Sequence, residues 1–133
     1  MEAKLLNRWL EKRCRDWVRE ALGTNILMDK KERALRMLEE ATELAQAAGI
    51  SPVQAAAVAQ RVYSRPAGNV QQESAGLLFT LLVLAWVNGI DLEEELESEL
   101  SRVEDPALIA HIREKHLTKV AAGIGLPFER EEP

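Results

Sequence analysis

The sequence predicts an all-α protein, a helical bundle, and three observations point there. Hydrophobic residues make up 47% of the 133-residue chain while aromatics make up only 5%, and an apolar stock rich in Leu and Ala favours helix over sheet. Capping residues, prolines and glycines punctuate the chain where helices would start and stop. The third observation is the run from Glu73 to Val87, ESAGLLFTLLVLAWV, in which Thr80 is the only polar side chain after Ala75. A helix that is apolar all round has no face to offer water and belongs inside a core. The run is shorter than the about 20 residues that a bilayer span takes. It is therefore expected to be the buried central helix of a bundle, packed against residues 30–48. A single domain is expected over residues 1–133, with its core at about 17–120 and a loose tail over 121–133.

Taken in order, Lys4 to Leu22 reads as the first helix. Leu6, Trp9, Leu10, Trp17 and Ala21 recur at helical spacing, Arg13 interrupts the stripe, and Gly23 ends it. Two tryptophans on one helix edge are ordinarily packing. Asp29, with Glu32 three residues on, resembles a capping box and opens a second helix that stops at Gly49. Ser51, Pro52 and Gln54 form a strong start for a third helix, running to about Ser64. Arg65-Pro66-Ala67-Gly68 breaks the chain. Asn69 then caps the apolar helix, which ends at Asn88-Gly89. Asp91 with Glu94 starts a fifth helix whose acidic first turn suits the helix dipole. Asp105-Pro106 starts a sixth, expected to run to about His116. From Gly123 the chain has Gly, Pro and a charged end and reads as loose.

The net charge of −5 argues against nucleic acid as a partner, because phosphate-binding surfaces are usually basic. A small phosphorylated ligand stays open, since a bound cation would offset its charge. One cysteine, Cys14, allows no intramolecular disulfide and fits a reducing compartment. The opening MEAKLLNRWLEKR is charged throughout, unlike a signal peptide. A cytoplasmic protein with no membrane partner is expected. His111 and His116 are five residues apart, a spacing that makes no tidy helical metal pair. No glycine-rich phosphate loop is present.

The candidate site is a set of carboxylates. LEEATEL gathers Glu39, Glu40 and Glu43 within about one helical turn, and Glu73 stands at the head of the apolar helix, with Gly76 and Thr80 on the same side. Like charges so close raise one another's pKa, and a divalent cation removes that cost. Carboxylate oxygens suit Mg²⁺ or Mn²⁺. The plainer alternative is a solvated acidic helix face, which such runs usually are. Glu73 is harder to explain that way, because a carboxylate entering a core needs a partner. Arg65, Arg113, Lys115 and Lys119 are candidates for meeting phosphates, or else ordinary surface cations.

The segments KERALRMLEEATELAQAAG, SRPAGNVQQESAGLLFTLLVLAWVNGIDL and IREKHLTK together resemble the MazG-like group of all-α nucleoside triphosphate pyrophosphohydrolases. The likeness is strongest to a small single-domain branch with an RP-x-G turn before QE, and it covers roughly Trp17 to Lys119. That superfamily carries E-E-x-x-E on one helix and E-x-x-D on a second; Glu39, Glu40 and Glu43 match the first and Glu73 opens the second. The resemblance implies an oligomeric helical bundle that uses Mg²⁺ to split a nucleoside triphosphate into monophosphate and pyrophosphate. Glu40, Glu43 and Glu73 would be metal ligands and Glu39 a ligand or base. Gly76 departs from the pattern, standing where Asp is expected. The other reading is a non-catalytic descendant, a helical module that binds a nucleotide or a protein partner. A Leu-rich helix in so short a chain also implies a homo-oligomer, a dimer or tetramer, to cover it.

Overall fold

A computed structural model describes residues 8–129. Seven helices are found among the described residues: α1 Arg8–Leu22, α2 Thr24–Met28, α3 Lys30–Ala47, α4 Pro52–Tyr63, α5 Val70–Val87, α6 Leu92–Val103 and α7 Pro106–Ala121. No strand is found among them, so the fold is all-α. The expected first turn at Lys4–Asn7 lies outside the described residues. Local chemistry sets most of the boundaries. Ser51 and Gln54 close a full capping box at the head of α4, with Pro52 at its first position. Asn69 accepts from the amides of Gln71 and Gln72 to start α5. At the other ends, Gly49 and Gly89 take φ of +91° and +66°. Those conformations let the amides of Ile50 and Ile90 reach back to the carbonyls of Ala45 and Ala85 at 3.0 and 2.9 Å.

The chain divides into two compact units. Residues 8–36 with 92–129 form the first, and Met37–Asp91 the second. The first holds nearly all of the buried apolar side chains. Ala21, Leu22 and Ile26 lie at its centre, with Trp17, Val18, Ile109, Ile112, Leu126 and Phe128 packed around them. α1 packs against α2, α6 and α7, and α6 also packs against α7. The Trp17 indole donates to the carbonyl of Val103 at 2.8 Å. Arg13, which breaks the apolar stripe of α1, pairs with Glu104 at 2.9 Å and lies 4.7 Å from the Trp9 ring centroid.

Three features differ from expectation. α2 is an extra turn of helix between Gly23 and Asp29, fixed by burial of Ile26 rather than by any cap side chain. α7 runs on to Ala121 because nothing between His116 and Gly123 breaks a helix. The tail read as loose from Gly123 is docked as far as it is described, with Leu126 and Phe128 part of the first unit's packing.

The second unit departs furthest from the sequence reading. α5 is not the buried centre of this chain: Ala85 is the one buried residue of Met37–Asp91. Leu78, Leu81, Leu82 and Leu84 are half-buried, while Phe79 and Trp86 are 69% and 82% exposed. α4 likewise leaves Val53, Val58 and Tyr63 in the open. An all-apolar helix needs cover, and the other helices of its unit supply little.

Candidate functional site

The two helices that carry the candidate carboxylates form the walls of one cleft within the second unit. Met37, Glu40, Ala41, Leu44 and Ala45 line it from α3, and Leu77, Thr80, Leu81 and Leu84 from α5. Its volume is about 600 Å³, within the range of small-molecule sites. Steps of three and four residues put each set on one helix face. The wall is apolar apart from Glu40 and Thr80, and the Thr80 hydroxyl donates to the carbonyl of Leu77 at 2.9 Å. Glu40 is thus the ionisable group in the lining.

The other predicted ligands lie elsewhere on the same unit. Glu39 is half-buried on α3, and Glu43 is exposed one turn further on. Glu73 sits in the first turn of α5, also exposed, its amide held by the Asn69 carbonyl at 2.9 Å. Its side chain folds back over the turn before the helix. A Cβ on Gly68 would collide with Glu73 Oε1 and stand 3.2 Å from its Cδ. The glycine of the Arg65–Gly68 turn therefore leaves the room that the Glu73 carboxylate occupies. Around Gly76 the space is open: an added Cβ would meet nothing within 4 Å. Among the described residues no group of three His, Cys, Asp or Glu side chains stands close enough together to hold a metal ion. Glu40, Glu43 and Glu73, expected to share a Mg²⁺ ion, are thus not gathered into one such group within the described residues.

The predicted cations divide between the units. Arg65 is exposed at the turn ahead of α5, in the same unit as the glutamates. Arg113, Lys115 and Lys119 belong to the first unit. Arg113 is engaged structurally, donating to the Ala21 carbonyl at 2.6 Å with its guanidinium 4.6 Å from the Phe128 ring centroid. Lys115 is exposed and Lys119 half-buried.

The most deeply enclosed polar cluster is one that the sequence reading took for a helix cap. Asp29 does accept from the Glu32 amide at 2.7 Å, but the Glu32 side chain does not return to close a box. It is buried, with 2% exposure. One oxygen accepts from the Leu126 amide at 2.9 Å, and the other lies 3.2 Å from Arg36 Nε and 3.9 Å from His116 Nδ1. His116, equally buried, bonds through Nε2 to the Leu126 carbonyl at 2.6 Å. Arg36 donates to the carbonyl of Ile124. Burial pushes the Arg33 guanidinium beside this cluster below its ordinary pKa, and the charge of Glu32 pulls it back up. Each bond pins the segment 124–126 to α3 or α7, so the cluster is a structural latch. The sequence signal that could have found it is Glu32 and Arg36 four residues apart. Cys14 is half-buried, and its thiol is raised above its ordinary pKa mainly by burial, which disfavours the reactive thiolate.

Compared with known proteins, the chain matches no family model, no curated protein and no solved structure.

Proposed function

We propose that this chain is a MazG-like nucleoside triphosphate pyrophosphohydrolase, releasing monophosphate and pyrophosphate with the help of Mg²⁺ or Mn²⁺. The observation that carries the reading is the pairing of its two motif helices. α3, with E-E-x-x-E at Glu39, Glu40 and Glu43, and α5, opened by Glu73, wall the same cleft, with Glu40 in the lining. The mostly apolar wall suits a base or sugar face, and a carboxylate in that wall suits the cation that accompanies phosphates. Glu40, Glu43 and Glu73 are the candidate ligands, Glu39 a ligand or base, and Arg65 the candidate phosphate contact within the same unit. A divalent cation would supply a bound water of lowered pKa and stabilise charge on phosphate oxygens.

The second reading is a non-catalytic module that binds a nucleotide or a protein partner. Gly76 favours it, since glycine has no side chain to coordinate where the superfamily pattern has Asp. Pyrophosphate release from a panel of ordinary and modified nucleoside triphosphates separates the two. The hydrolase reading expects release with Mg²⁺ or Mn²⁺, abolished by chelator and cut by at least about 100-fold in Glu40→Gln and Glu73→Gln, the scale of losing electrostatic stabilisation of a transition state. No release from any substrate, together with no calorimetric binding of metal at millimolar concentration with nucleotide present, would leave the non-catalytic module.

A further inference from the structure

We infer that the cleft between α3 and α5 selects nucleobases that carry an exocyclic amino group over those with keto groups alone, and that Glu40 and Thr80 make the choice, one that rests on the nucleotide reading above. Apart from Met37, Glu40 and Thr80, the lining side chains are Leu and Ala, which carry no polar atom. The Met37 thioether is a weak acceptor, and the Glu40 carboxylate only accepts. The Thr80 hydroxyl has one proton, and the Leu77 carbonyl holds it at 2.9 Å.

The backbone adds no donor. The amides that a helix leaves unbonded are those of its first turn. These belong to residues 30–33 in α3 and 70–73 in α5, whereas the lining begins at Met37 on one helix and Leu77 on the other. Later amides of both walls are engaged by the carbonyls one turn before them. The cleft thus presents acceptors and no spare donor. Glu40 and Thr80 also stand in the middle turn of their walls, between Met37 and Leu44 and between Leu77 and Leu84. A flat ligand held against the apolar residues brings its polar edge to them.

The ring of any base suits the Leu and Ala surfaces, so the polar edge decides which base stays. An amino group brings hydrogens, and the wall has acceptors for them. A keto oxygen turned to the same wall meets only other acceptors. It gives up its bond to water and gets none in return, which is the costlier side of hydrogen bonding. A site with fixed hydrogen-bonding groups rejects an analogue that cannot answer them far more sharply than an apolar pocket rejects a change of size. Ribose hydroxyls are common to all the nucleosides and leave the choice to the base. Glu40 is also a candidate cation ligand, but a carboxylate has about four lone-pair sites, enough for a cation and an amino group together.

Binding of phosphate-free nucleosides to the full chain, read by NMR titration with chelator present, tests this apart from hydrolysis. Adenosine should bind at least about 10-fold more tightly than purine riboside, which lacks only the amino group, and cytidine than uridine, the scale of one hydrogen bond to a charged group. Glu40→Gln puts a donor into the wall, so uridine should gain affinity and the preference for cytidine should drop to about 2-fold or less. Thr80→Val keeps the side-chain shape and removes an acceptor, so the preference for the amino member should fall by about 3-fold, the scale of a neutral hydrogen bond. Both positions are exposed, and circular dichroism should be unchanged in each variant. Equal affinity within each pair, a preference for uridine, or a preference that survives Glu40→Gln would overturn the selection, and pyrophosphate release indifferent to the base would then leave the hydrolase standing without it. Absence of binding by any nucleoside at millimolar concentration overturns it too, and the nucleotide reading falls as well only if no triphosphate is bound or hydrolysed.

Discussion

A carboxylate left with 2% of its surface in water has exchanged its hydration shell for protein partners, and Glu32 has done so with Arg36, the Leu126 amide and the neighbouring His116. Removing one member of such a set leaves buried charge uncompensated. Glu32→Ala should therefore cost about 3–5 kcal/mol, read as a lower denaturation midpoint, and should release the segment 124–128 to limited proteolysis. An unchanged midpoint would show that the latch contributes nothing. Glu73 is the opposite case. It is exposed, so its place is set by room rather than by burial, and Gly68 provides that room. Gly68→Ala pushes a mobile carboxylate aside and also narrows the unfolded ensemble, so stability should change by less than about 1 kcal/mol. Metal affinity in calorimetry should nevertheless fall by about 10-fold, as when the groups that orient a ligand are disturbed. Equal affinity in the variant would remove Glu73 from the site.

Elements whose ends are written in side chains were legible in the sequence. The Ser51–Pro52–Gln54 start, the Asn69 cap and the stops at Gly49 and Gly89 stand where their chemistry puts them. What failed was whatever depended on distant partners. Asp29 and Glu32 have the spacing of a capping box, but the Glu32 side chain is claimed by Arg36 and Leu126, the latter 94 residues away. Gly123 to Phe128 has the composition of a loop, yet Leu126 and Phe128, two residues apart, bury one side of an irregular segment. No helical or strand period marks such a contact. The need of α5 for cover was legible in its lack of a polar face. Which chain provides the cover was not, because hydropathy records what must leave water and is silent on where it goes. The candidate site is in the same position. LEEATEL and the turn before QE gave the residues and their two helices, and the structure brings α3 and α5 to one cleft without gathering three carboxylates there.

At the scale of the whole molecule, the two units rest on different grounds. Residues 8–36 and 92–129 contain Leu10, Ala21, Leu22, Ile26, Leu100 and Val103 as buried apolar side chains, plus the Glu32 latch. Met37–Asp91 contains only Ala85. Ordering a residue costs roughly 1–2 kcal/mol of backbone entropy, and isolated helices of this length are marginal in water. A stretch with one buried residue therefore cannot hold three helical segments at low free energy by itself. If a second copy covers α5, the binding free energy becomes folding free energy for this unit, and its stability must rise with protein concentration. Hydrogen exchange reads this segment by segment. The amides of α4 and α5 should exchange nearly freely in the micromolar range where the chain is dilute, and should gain protection as it is concentrated toward 100 µM. Amides of α1 and α7 should be protected to the same degree throughout, since their partners lie in their own chain. In Trp86→Glu the concentration dependence of α5 should vanish while α1 and α7 are unaffected. Strong protection of α5 that is independent of concentration would mean that a single chain suffices to hold it, and the division of labour between the two units would fail with it.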